Sequence, residues 1–189
     1  MCESVDSFST DTGHLNDNQW SFRRDRSTEE LLIYLAETRK AALDKRKVVG
    51  VVDTDFQKAF DTVSLGILIY KLQAMGFSGD LLQWMVSYLE DRTQFAEANG
   101  CFSRQTKPVT CGVPQGPLLD PRLFTYYNND LSNSITECNL ELYADDTTLH
   151  FIGIIVDVVQ FPLRGLTRWC RDNKLTIQAG RSEAIFHNP

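Results

Sequence analysis

The segment LYADDTTLH, Leu142–His150, constrains the fold more than any other stretch of this chain. Its aromatic, β-branched and apolar residues alternate as in a β-strand, yet Asp145 and Asp146 sit side by side in its middle. Aspartate is depleted in strands, and two adjacent carboxylates repel. Neighbouring side chains of a strand point to opposite faces, so both carboxylates reach one site only from a tight turn. The segment therefore reads as strand, turn, strand (LELY, ADD, TTLHFI), with the carboxylates lifted to the rim of a sheet. Aspartate is also common in plain polar turns, so this pair alone does not define a site.

A second acidic cluster gives the pair a partner. VVGVVDTDFQKAFD opens with a continuous β-branched run over 48–52, the pattern of a buried strand, and continues into Asp53 and Asp55, with Asp61 about a helical turn later. Asp53 and Asp55 are two apart and share a face in extended backbone. Two strand ends bearing aspartates can hold two Mg²⁺ ions, because hard divalent cations take oxygen ligands. Two metals about 3.5–4 Å apart stabilise the attacking and leaving oxygens of an in-line phosphoryl displacement. A third element is GVPQG, Gly112 to Gly116. Its glycines let backbone approach a ligand closely, Pro114 stiffens the turn, and Gln115 offers both a donor and an acceptor.

Bulk properties fit one globular unit. The chain has 189 residues, 42% hydrophobic and 23% charged, enough for a single core. Net charge is −6, which by itself argues against a nucleic-acid binder. The acids concentrate in the middle, however, and bases outnumber acids over 20–47 and 161–189. A negative centre with positive flanks suits a divalent-metal site with phosphate-contacting walls. No apolar run approaches the ~20 residues of a bilayer span, and the polar N-terminus lacks the pattern of a signal peptide. The sequence thus predicts an intracellular protein, nuclear or cytoplasmic, with no membrane partner. The five cysteines are scattered and never form C-x-x-C, so they are expected as free thiols.

Along the chain, residues 1–18 are predicted to be poorly ordered and 19–189 to form the folded unit. RSTEELLIYLAETRKAALDKRK predicts an amphipathic helix with a capping box of Ser27 and Glu30, its apolar face carrying Leu31, Leu32, Leu35, Ala42 and Leu43. SLGILIYKLQAMG predicts a helix stopped by Gly76, and SGDLLQWMVSYLEDR another, capped at Ser78 or Asp80. Asn99-Gly100 marks a hairpin. A helix is expected over about 118–131, another in RGLTRWCRDN, and two last strands in KLTIQ and EAIFH. Helices and strands mix without βαβ alternation, so the fold class is α+β with a small antiparallel sheet packed on helices.

DFQKAFD, GVPQG and YADD stand in this order, and together they resemble the reverse transcriptase domain of non-LTR (LINE-type) retrotransposons. NQWSFRRDRSTEELL, VSYLEDRTQ, YYNNDL and WCRDNKLTI resemble further segments of that family in their proper order. The resemblance runs from about Gln19 to the C-terminus. It implies a fingers–palm right-hand polymerase fold, here without a thumb, and RNA-directed DNA polymerase activity. Asp55, Asp145 and Asp146 match the catalytic, metal-binding carboxylates, with two Mg²⁺ ions as cofactor and Mn²⁺ as a substitute. Phe60 matches the aromatic gate that crowds a ribose 2′-OH, the group that distinguishes RNA from DNA. Gly112, Gln115 and Gly116 match the loop lining the nascent base pair. Arg23 and Arg26 match basic fingers residues near the triphosphate or template. The implied partners are an RNA template, a DNA primer and dNTPs. For Lys58, an ion pair with Asp61 and a substrate contact both remain open.

The chain also departs from the family pattern. Pro117 and Asp120 replace residues after GVPQG, Asp120 putting bulk and charge near the expected nucleotide path. Ser21 and Asp25 stand where glycine is usual, and Arg181 where lysine is usual. Pro162 and Gly165, poor helix-interior residues, interrupt a segment that is normally one helix. These departures support a second reading: a truncated, catalytically inactive retrotransposon-derived protein that keeps metal or weak RNA binding. A third, the D-x-D motif of metal-dependent glycosyltransferases, fits VVDTD but leaves GVPQG and YADD unexplained.

Overall fold

The computed structural model describes residues 15–116, 119–136, 138–153 and 159–187. Of residues 1–18, expected to be poorly ordered, 1–14 lie outside the described residues, Cys2 among them, as does Pro117. The described 15–18 are bonded to the fold, Asn16 N–H donating to Asn129 Oδ1 at 2.7 Å and Leu142 N–H to Asn18 O at 2.8 Å.

The centre is a four-stranded antiparallel sheet in the order β6-β7-β1-β8, built from β1 (Val49–Thr54), β6 (Asn139–Tyr143), β7 (Asp146–Ile152) and β8 (Glu183–His187). Period-two alternation sorts its residues. Val52, Leu140, Leu142, Leu149 and Phe151 point into the main core, where they meet Leu68, Leu72, Leu123, Phe124, Leu166 and Trp169 from the helices behind. Val49 and Val51 point the other way and pack with Ala42, Leu43 and Ile152. β1 is central and covered on both faces, which is why its sequence is a continuous apolar run.

Helix α1 (Thr28–Asp44) begins with the expected capping box: Ser27 Oγ accepts from Glu30 N–H and Glu30 Oε2 accepts from Ser27 N–H. Leu31, Leu35 and Ala42 are buried, but Leu32, expected on the same face, is 60% exposed. Its side chain instead lines the groove between α1 and the sheet. A four-residue turn of helix, α2 (Ala59–Thr62), leads to α3 (Leu65–Ala74) and α4 (Gly79–Leu89). Gly76 stops α3 at φ 91°, with Gly76 N–H bonded to Gln73 O and Phe77 N–H to Leu72 O. This is the paired pattern of a Schellman cap. The Asn99-Gly100 turn joins β3 (Glu97–Ala98) to β4 (Cys101–Phe102) inside a second ladder of β2 (Thr93–Gln94) with β5 (Lys107–Pro108). Both turn residues have positive φ, the requirement of the type I′ hairpin turn.

Helix α5 (Asp120–Asn128) leads to a 3₁₀ turn, Leu131–Ser134. Helix α6 (Gln160–Asp172) then runs without a break through Pro162 and Gly165, which overturns the expected interruption. Pro162 lies in the first turn, where its missing N–H has no intrahelical partner to lose. Gly165 is where α6 crosses the 3₁₀ turn: a Cβ there would lie 2.3 Å from Ser134 O. KLTIQ, expected as a strand, forms only an isolated bridge between Ile177 and Phe56. Its backbone is instead held against the residues just after β1, through Gln57 N–H to Thr176 O and Gln178 N–H to Asp55 O. Cys101, Cys111, Cys138 and Cys170 are free thiols, and burial pushes the Cys170 thiol up to about 12. Among the described residues no helix is long and apolar enough to cross a membrane.

Candidate active site

The sheet register brings the two acidic segments together. β1 and β7 pair antiparallel, Asp53 opposite Thr148 and Thr54 opposite Thr147. The ladder ends at that pair; Asp55 is the residue just after β1 and Asp146 the one just before Thr147, and both line one groove. Ala144 and Asp145 form the two-residue turn between β6 and β7, and Asp146 is the first residue of β7, paired with Tyr143. The hairpin is thus one residue tighter than the ADD turn expected from sequence. Ala144 has φ 55°, a left-handed conformation costing an L-residue about 1–2 kcal/mol.

The electrostatics report the same convergence. Burial is the main cause that raises the Asp145 carboxyl above the usual range, and Asp55 adds to it against the opposing pull of Arg181. Burial again leads for Asp146, reinforced by Asp145, Asp55 and Asp53. Asp53 is itself tied down, accepting from Thr148 Oγ1 at 2.7 Å. Asp55 is 14% exposed and receives the guanidinium of Arg181, Nη1 to Oδ2 at 3.2 Å, from a side chain 75% exposed. Among the described residues, no three His, Cys, Asp or Glu side chains form a ready-made metal cluster. The donor set nevertheless fits a hard divalent cation: every group is a carboxylate oxygen, the carboxylates are electrostatically frustrated without a counter-charge, and a guanidinium already stands against one of them. Asp53, Asp55, Asp146 and Arg181 open onto a groove of about 690 Å³ between α1 and the sheet, whose walls also include Leu31 and Leu35.

The GVPQG loop is built onto the turn that follows β1. Gly112 N–H donates to Val63 O at 2.8 Å and Val113 N–H to Phe60 O at 2.9 Å. Arg92 Nη2 donates to Gly112 O from the far side. Gly112 has φ 84°, and a Cβ on it would lie 2.7 Å from Asp61 O. Glycine is therefore required there on both counts. Gln115 Nε2 donates to Asp61 Oδ1 at 2.8 Å, so Asp61's partner is Gln115. Phe60 is half-buried, its ring packed on Phe124 with centroids 4.9 Å apart. Gly116 is approached by Asp120, whose carboxylate would meet a Cβ at 2.8 Å.

Two assignments expected from the sequence look different in three dimensions. Asp120 does not project into a nucleotide path: it is 2% exposed and accepts from Tyr88 OH at 2.8 Å. Arg23 and Arg26 face their own segment. Arg23 Nη1 donates to Asn16 O at 2.8 Å, Arg26 Nη1 to Asp17 O, and Arg26 stacks on Trp20 at 4.6 Å. Both approach Asp17, at 3.7 and 3.5 Å. Asp25 pairs with exposed Arg24 at 3.9 Å and adopts φ 57°. Motif and spacing assign no role to Thr148, or to Gln19 and Asn128, which lie in NQWSF and YYNNDL.

A small antiparallel sheet, helices behind it and carboxylates on its rim define a polymerase palm. The match to known families agrees. Residues 5–187 match the family of reverse transcriptases (RNA-dependent DNA polymerases), and the chain belongs to that family. It is 32% identical over 174 residues to the RNA-directed DNA polymerase from mobile element jockey of Drosophila funebris. It is 30% identical over 168 residues to the probable RNA-directed DNA polymerase from transposon BS of Drosophila melanogaster. These matches cover 86% and 83% of this chain but 19% and 18% of the relatives, so the chain spans about a fifth of their length. Among solved structures, a telomerase from Candida tropicalis in complex with a TWJ fragment of telomeric RNA superposes with a TM-score of 0.74. That match has 11% identity and covers 98% of this chain and 33% of that one. It establishes the right-hand polymerase fold. Reverse transcriptases as a family work with divalent metal ions, and the D-x-D glycosyltransferase reading is superseded by this membership.

Proposed function

We propose that residues 19–189 are the fingers and palm of an RNA-directed DNA polymerase, adding dNTPs to a primer 3′-OH on an RNA template. The observation that carries this reading is the register of β1 against β7, which brings the end of β1 beside the start of β7 at the Ala144-Asp145 turn, with Asp55 and Asp146 lining one groove. Asp55, Asp145 and Asp146 are the ligands in this reading, for two Mg²⁺ ions or Mn²⁺ in their stead. Bound there, the ions would supply Lewis-acid activation of the primer hydroxyl and neutralise charge on the pyrophosphate. The chain's own part is positioning. The three carboxylates hold fixed negative charge at one rim. Phe60, backed by Phe124, presents a flat ring where a ribose 2′-carbon passes, so dNTPs are favoured over rNTPs. Gly112, Gln115 and Gly116 line the nascent base pair on a loop fixed to residues 60–63. Arg23 and Arg26 brace residues 16–19 in this reading instead of contacting phosphate.

The test is primer extension on an RNA template with Mg²⁺ and dNTPs, comparing the chain with Asp145→Asn and Phe60→Val. The expected results are extension by the parent, loss in Asp145→Asn, and rNTP incorporation gained in Phe60→Val. Equal extension by parent and Asp145→Asn would remove the enzymatic claim. The Arg181–Asp55 ion pair and the engaged fingers arginines favour one second reading, a palm that binds metal or RNA without turnover. That reading predicts Mn²⁺ binding that depends on Asp145 with no extension by any variant.

A further inference from the structure

The strained Ala144 is held at both of its backbone polar groups by side chains from distant parts of the chain. Ala144 N–H donates to Ser21 Oγ at 2.7 Å. Asn128 Nδ2 donates to Ala144 O at 2.9 Å. Gln19 closes the circuit: its Oε1 accepts from Ser21 Oγ at 3.0 Å and Ser21 N–H at 3.3 Å, and its Nε2 donates to Asn128 Oδ1 at 3.1 Å. The donor sense is set all the way round. Ser21 spends its one proton on Gln19, which leaves its oxygen to accept from Ala144. Gln19 occupies the Asn128 oxygen, which turns the Asn128 amide nitrogen toward Ala144 O. Gln19 and Asn128 are fully buried and Ser21 is 1% exposed, so no water substitutes for a lost partner. The backbone of residues 18–20 is aligned by the same β6 strand, through Trp20 N–H to Leu142 O and Leu142 N–H to Asn18 O.

We infer that Gln19, Ser21 and Asn128 are positioning residues that hold the Ala144-Asp145 turn in its left-handed conformation and thereby aim the Asp145 and Asp146 carboxylates. The inference rests on the reading of those carboxylates as metal ligands. Serine at position 21 is then a working part of the site: a glycine there would have no oxygen to accept from Ala144. A buried circuit of this kind is costly to leave half-satisfied, so removing one member frees the turn and not merely one bond.

The experiment uses the full chain with Ser21→Ala, Ser21→Thr and Asn128→Ala, the double variant Asn128→Ala with Ala144→Gly, and Asp145→Asn. Three properties are measured: amide hydrogen exchange at Ala144–Asp146, Mn²⁺ affinity by electron paramagnetic resonance, and primer extension. Ser21→Ala and Asn128→Ala are expected to speed exchange at the turn at least tenfold relative to β1. They should also weaken Mn²⁺ binding several-fold and lower kcat by roughly 10- to 100-fold, the range that ~1 Å of misplacement produces, with the KM for dNTP little changed. Ser21→Thr keeps the hydroxyl and should restore much of the loss, and glycine at position 144 should recover part of it by removing the strain. Turn exchange and Mn²⁺ affinity at parent levels in folded Ser21→Ala would overturn the inference. If Asn128→Ala does not fold, Ser21→Ala and Ser21→Thr decide. Parental Mn²⁺ affinity in Asp145→Asn would instead overturn the reading of the carboxylates, whatever the turn does.

Discussion

Gly112→Ala isolates the contact that joins the GVPQG loop to the first acidic segment. The magnitude follows from two independent costs. Gly112 sits at φ 84°, and moving an L-residue into that region costs about 1–2 kcal/mol. The new methyl would lie 2.7 Å from Asp61 O and 3.0 Å from the Asp61 carbonyl carbon and Cα. These are backbone atoms that cannot rotate aside, and overpacking of that kind costs about 1–3 kcal/mol. The sum, about 2–5 kcal/mol, corresponds to a fall in Tm of roughly 4–20 °C for a chain of this size. The internal control is Gly116→Ala. Its φ is not in the positive region, and its Cβ meets the Asp120 carboxylate and no backbone, so only the overpacking cost of about 1–3 kcal/mol applies and a smaller loss than for Gly112→Ala is expected. Thermal denaturation by circular dichroism measures both. The clash also pushes on Phe60 and Gln115, so substrate selectivity should change in Gly112→Ala at temperatures where it remains folded. Equal Tm values for Gly112→Ala and Gly116→Ala would refute the docking of the loop on residues 60–63.

Further outcomes follow from the same contacts. Gly165→Ala should destabilise by about 1–3 kcal/mol in urea denaturation, although alanine is the better helix former by about 1 kcal/mol, because the methyl meets Ser134 O at 2.3 Å. Tyr88→Phe leaves the buried Asp120 carboxylate without the hydroxyl that bonds it and should cost about 1–3 kcal/mol, with the far-UV spectrum unchanged. Asp145 and Asp146 have folded pKa values raised above the ordinary 3.8. In that case the folded state holds more protons than the unfolded one between the two values, so stability falls as pH rises through that window and stays reduced above it. Metal-free Asp145→Asn should therefore melt higher than the parent at neutral pH. The difference should shrink as pH falls through the window, while Mg²⁺ raises the Tm of the parent and not of the variant.

What is legible in the sequence and what is not divide along physical lines. Local rules locate the α1 capping box, the Gly76 stop, the Asn99-Gly100 turn and the strand–turn–strand at YADD, because each depends on residues within a few positions. The pairing of Asp55 with the hairpin is legible only through the recurrence of several motifs in one order. The expected break in helix α6 weighs glycine and proline by intrinsic propensity, whereas Gly165 answers to a carbonyl thirty-one residues earlier and Pro162 to its place in the first turn. Asp120 reads as an intruding charge in one dimension because its partner, the Tyr88 hydroxyl, comes from another helix. The fingers arginines point to phosphate by residue type, but their partners are carbonyls of residues 16–19, which no pattern specifies. The Gln19–Ser21–Asn128 circuit spans 109 residues of chain and has no periodicity to betray it.

Whether the three aspartates make one metal site is the question on which the function turns. Crystals of the chain soaked in Mn²⁺ and measured for anomalous scattering answer this directly. The prediction is a peak bonded at about 2.0–2.2 Å to oxygens of Asp55 and of at least one of Asp145 and Asp146, with the Arg181 guanidinium displaced from Asp55. Arg181 still in place on Asp55 at saturating Mn²⁺, with no peak between β1 and the Ala144-Asp145 turn, would contradict it.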